Sequence, residues 1–73
     1  MNYTLLGGIY QGFEQHRYAL EAYGTALDQD PSDVASLFGY AQSAESLALA
    51  DEAQGAYEAL LTLAPGHAQA YYA

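Results

Sequence analysis

The stretch "ALEAYGTALDQDP" (Ala19–Pro31) returns, thirty-four residues on, as "AQGAYEALLTLAP" (Ala53–Pro65). Ala19 matches Ala53, Ala22 matches Ala56, Tyr23 matches Tyr57, Leu27 matches Leu61 and Pro31 matches Pro65, while most other positions differ. The matched residues recur at three- and four-residue steps, the spacing of one helix face, and each copy runs into a proline that cannot continue a helix. A chain that keeps only such positions is retaining helix contacts and leaving the rest to solvent or a partner.

Working outward, the first helix carries Tyr3, Leu6, Ile9 or Tyr10, and Phe13 along one amphipathic face. Gly7, Gly8 and Gly12 lie inside it, each costing about 1 kcal/mol against alanine, which calls for a close neighbour at one of them. Gly8 and Gly12 also form a GxxxG spacing, read as close helix packing. The second helix starts near Gln15 or His16, turns Tyr18, Ala19, Ala22, Tyr23, Ala26 and Leu27 inward, and stops at Pro31. Ser32 and Asp33 are caps for a third helix from Val34, with Leu37, Tyr40, Ala41, Ala44 and Leu47 on its apolar side. Within "LALAD" (Leu47–Asp51) no strong breaker marks the turn, and Asp51 is a cap for a fourth helix with Ala53, Ala56, Tyr57, Leu60 and Leu61 inward. Pro65-Gly66 ends it, and His67 to Ala73 reads as the start of a fifth helix, stacked on the fourth and either continued by further chain or paired with a partner. An α-α unit repeated every thirty-four residues is the mark of a helical solenoid, so the expected class is all-α.

Composition narrows the function classes. Seventy-three residues make one small domain, with no cysteine for disulfides or a thiolate metal site. Nine acids face one base, Arg17, giving a net charge of −8. That acidity reads either as a solubilising surface or as adaptation to a salt-rich cytoplasm. Without a cluster of Lys and Arg, neither nucleic acid nor an anionic membrane is an expected partner. The N-terminus has no basic region before its glycine-broken apolar stretch, and no apolar run is long enough to span a bilayer, so the expected location is cytoplasmic. Catalysis is not expected. His16 and His67 are the only imidazoles and both fall at turns, with no partner positioned for general-base work and no metal-ligand spacing. Gly7-Gly8 lacks the lysine of a phosphate loop. No cofactor or metal is expected.

The chain resembles the tetratricopeptide repeat family. Tyr3, Leu6, Gly7, Tyr10, Ala19, Tyr23, Ala26 and Pro31 fall on the family pattern, with tyrosine where tryptophan is commoner. The second unit keeps Ala41, Ala53, Tyr57 and Pro65, and departs at Leu37, Tyr40, Ala44 and Leu60, a change of bulk read as compensation within one interface. Tyr71 stands where a third unit would place its first aromatic. The resemblance implies a right-handed superhelix of antiparallel helix pairs, with repeat one at 1–33, repeat two at 34–67 and a third repeat or cap beginning at 68–73. It also implies a concave peptide-binding groove lined by the first helix of each pair. Here those positions are Thr4, Gly8, Gln11, Gly12, Ala35, Phe38, Gly39, Gln42, Glu45, Gln69 and Tyr72. Phe38 and Tyr72 either pack on neighbouring helices or serve as aromatic platforms. The positions that hold lysines, an arginine and asparagines in the branch that clamps acidic chaperone tails are Thr4, Gly8, Gly39, Gln69 and Ala73 here, none basic, so such tails are not expected ligands. The expected function is a non-catalytic module offering a neutral, partly aromatic groove to a peptide or helix. The alternative is a structural domain that self-associates through the groove or the open C-terminal end.

Overall fold

The computed structural model describes residues 2–63. These form four α-helices and no strand: α1 (Tyr3–Gly12), α2 (His16–Gln29), α3 (Val34–Ser46) and α4 (Ala50–Leu63). The fifth helical segment, Gln69 and Tyr72 lie outside the described residues.

Local chemistry sets the boundaries. The Asn2 side chain accepts the Leu5 amide at 3.0 Å, and the Asp33 carboxylate accepts the amides of Ala35 and Ser36, so α1 and α3 open on capping side chains. Asp30, forced out of helical backbone by Pro31, ends α2 with φ −145°. The unmarked turn runs through Leu47–Leu49, and α4 starts at Ala50. Asp51 is therefore not its cap; with Glu52 it occupies the first turn, where carboxylates meet the positive end of the helix dipole.

The two turns within pairs are copies of each other. After α1, the Glu14 amide donates to the Gln11 carbonyl at 3.0 Å and the Gln15 amide reaches back to the Tyr10 carbonyl at 2.8 Å. After α3, Ala48 donates to Glu45 at 3.0 Å and Leu49 to Ala44 at 2.8 Å. Glu14 and Ala48 have φ of 62° and 60°, the left-handed conformation that closes a Schellman turn. The thirty-four-residue period thus holds in backbone geometry as well as in residue type.

These short turns fold α2 back on α1 and α4 back on α3, while α2 and α1 both pack on α3. The core is alanine-rich: Ala19, Ala22, Tyr23 and Ala26 of α2, Leu37, Ala41 and Ala44 of α3, and Ala53, Ala56 and Leu60 of α4 are buried. Small side chains let backbones approach, and fewer large ones fill the gaps. Tyr40 packs against the cluster formed by Leu37, Ala41, Ala56 and Leu60, and its ring also lies 3.6 Å from where a Cβ on Gly24 would stand. The added bulk of Tyr40 is thus taken up partly by α2.

Three inward expectations are corrected. Phe13, Tyr18 and Leu61 are exposed. On α1 the apolar residues divide: Leu6 and Tyr10 turn toward α2, while Leu5, Ile9 and Phe13 follow a separate four-residue line into solvent. Close packing also occurs at a different glycine. A Cβ on Gly12 would meet nothing within 4 Å, whereas a Cβ on Gly7 would stand 2.9 Å from the Tyr23 ring.

Candidate interaction surface

The groove positions lie on α1 and α3, the first helices of the two pairs, which pack side by side. Thr4 and Gln11 are half-buried, and Gly8 and Gly12 are exposed. On α3, Ala35 and Glu45 are exposed, Phe38 and Gln42 are half-buried, and Gly39 is buried. Gly39 is buried beneath the Tyr23 ring from α2, which lies where a Cβ at this position would stand.

One chain of hydrogen bonds joins the two first helices. The buried Tyr23 hydroxyl donates to Gln11 Oε1 at 3.1 Å, and Gln11 Nε2 donates to Gln42 Oε1 at 3.2 Å. Burial pushes the Tyr23 phenol above its ordinary value, so it remains a donor. The chain runs in one direction and ends on Gln42 Nε2, which has no acceptor among the described residues. An amide donor held at the end of such a chain suits a peptide carbonyl. In the second pair, Tyr57 donates to Glu45 in the same way that Tyr23 donates to Gln11.

A second network lies nearer the start of the helices. Thr4 Oγ1 reaches Asp33 Oδ2 at 3.0 Å and Ser36 Oγ at 2.7 Å, and Ser36 Oγ reaches the same carboxylate oxygen at 2.9 Å. Burial of Asp33 raises its pKa. The hydroxyls of Ser36 and Thr4 and the amides of Ser36 and Ala35 outweigh that and hold the carboxyl below its usual range. Thr4 therefore ties α1 to the cap of α3. The register of α1 in sequence points to Thr4 but not to its partners Asp33 and Ser36, although a capping Asp followed by Ser three residues later was a visible signal.

Phe38 packs against the cluster of Leu37, Ala41, Ala56 and Leu60 while remaining only half-buried, so it belongs to both core and surface. Gly8, Gly12 and Ala35 leave the adjoining surface smooth. His16 opens α2, with its Nδ1 buried and unpartnered. Among the described residues no three His, Cys, Asp or Glu side chains gather as a metal site would require. No described helix is long and apolar enough to cross a membrane.

No family model, curated protein or solved structure matches the chain significantly.

Proposed function

We propose that the chain is a helical-repeat interaction module of the tetratricopeptide kind. It stacks its helix pairs as a solenoid and presents the shared surface of α1 and α3 to an extended peptide or a helix. The observation that carries this reading is the Tyr23–Gln11–Gln42 chain, which joins the first helices of successive pairs and ends in an amide donor one helical turn from the half-buried Phe38. Identical turns thirty-four residues apart support the repeat. The smooth floor at Gly8, Gly12 and Ala35 leaves room for a main chain to lie close. No catalytic step, cofactor or metal enters this reading, and the partner is protein.

Panning a random-peptide library against the domain, then mapping the tightest binder by amide chemical shifts, tests it. Shifts should gather at Thr4, Gln11, Ala35, Phe38 and Gln42, and Gln42→Ala should weaken binding by about 1 kcal/mol through loss of the amide donor. Phe38→Ala should cost on the order of 2 kcal/mol of affinity, measured where circular dichroism shows the variant still folded. A library without binders, or shifts confined to the outer faces of α2 and α4, overturns the reading.

A further inference from the structure

The repeat makes each position on α1 comparable with one on α3, and one face differs sharply. On α3, Ser36, Gly39 and Ser43 are small and buried, Ser36 against Thr4 and Gly39 against Tyr23 of the preceding pair, with Leu47 half-buried beyond. The matching residues of α1 are Asn2, Leu5, Ile9 and Phe13. Leu5, Ile9 and Phe13 are 62%, 50% and 76% exposed. Beside this ridge, Tyr3, Leu6 and Tyr10 face Tyr18, Glu21, Ala22 and Thr25 across an open cleft of about 230 Å³. Tyr10 and Tyr18 meet there with ring centroids 5.4 Å apart, and Tyr18 is 55% exposed. Leu5 thus stands at the position where, on α3, Gly39 admits a tyrosine ring.

We propose that this face is a homodimer interface, with a second copy of the chain as its occupant. An apolar ridge flanked by Tyr18 meets the requirement of an isologous contact, in which the ridges of the two copies lie antiparallel along each other. The four exposed side chains present on the order of 500 Å². Two such faces bury about 1,000 Å², the lower bound for a specific interface, which fits a dimer that dissociates on dilution.

Charge supports the same occupant. The Tyr10–Tyr18 ring contact across the cleft fixes the register of the α1–α2 hairpin. A two-fold axis through Ile9 then sets Leu5 of one copy against Phe13 of the other, and Arg17 of one against Glu21 of the other. Arg17, the chain's one base, forms no ion pair among the described residues. In a chain of nine carboxylates and one arginine, this face offers two symmetric ion pairs at its rim, and it leaves the α1–α3 surface open.

Sedimentation equilibrium from micromolar to millimolar protein, at physiological ionic strength where the screening length is about 8 Å, reads the outcome. The wild type should move from monomer to dimer and no further. Ile9→Asp, on a half-exposed position that the fold does not need, should weaken the dimer by more than about tenfold. Arg17→Glu and Glu21→Arg should each weaken it by about three- to tenfold, and the double exchange should restore it. A monomer throughout the range overturns the proposal. So does a dimer indifferent to Ile9→Asp, or a double exchange no tighter than its single variants.

Discussion

The ring of Tyr23 in α2 lies directly over the backbone of Gly39 in α3, in the space that any Cβ at position 39 would occupy. The same ring also meets Gly7 in α1. One tyrosine, 5% exposed, therefore fixes the spacing of three helices, and its hydroxyl goes on to order Gln11 and Gln42 at the surface. Packing at the centre and polar geometry at the surface depend on one side chain.

Glycine-to-alanine exchange should have opposite signs at two sites. Gly12→Ala places a methyl in open space and should stabilise the domain by about 1 kcal/mol through helix propensity. Gly39→Ala gains the same propensity but forces the Tyr23 ring aside, and should destabilise by about 1–3 kcal/mol. Urea unfolding of both variants checks this; a Gly39→Ala protein as stable as wild type would show that the ring can move freely.

The two left-handed turn residues invite the reverse exchange. Glu14→Gly and Ala48→Gly relieve a conformation that costs an L-residue about 1–2 kcal/mol, against a smaller entropic cost in the unfolded chain. Each should raise stability by about 0.5–1 kcal/mol, and the two should add because the turns are separate. Thermal melts of the single and double variants measure it.

Ser43 is fully buried, and its hydroxyl has no hydrogen-bond partner. Ser43→Ala removes an unsatisfied polar group without opening space, and should stabilise by about 1 kcal/mol. Loss of stability instead would reveal a bond formed by that hydroxyl in solution.

Asp33 makes the α1–α3 junction sensitive to acid. Its carboxyl is held below the usual range in the folded chain, so its contribution is complete above the unfolded value of about 3.9 and disappears as pH falls through the lower folded value. Wild-type stability should therefore drop below about pH 4 more steeply than that of Asp33→Asn, and the difference between them should shrink with acid. Thr4→Val, which removes one hydroxyl donor, should flatten the same slope. Parallel curves for wild type and Asp33→Asn would remove this role.

The four helices were legible from sequence because periodicity, capping residues and Pro31 act within a few residues of the chain, and the repeat was legible because packed positions retain their identity. The turn after Leu47 was less so. A left-handed Ala48 leaves no mark of the kind glycine would. Tertiary packing alone decided which apolar residues count as core. Leu6 and Ile9 look equivalent in sequence, yet α2 covers the first and leaves the second in solvent. Gly12 and Gly39 are the same residue with opposite roles, since only the ring of Tyr23, sixteen positions before Gly39, distinguishes them. The candidate surface divides along the same line. Thr4, Gln11 and Gln42 could be named from their register on the helices, but their partners Asp33, Ser36 and Tyr23 lie on other elements. Helix formation is governed by neighbours in sequence, whereas burial and hydrogen-bond partnership depend on which helix faces lie against each other.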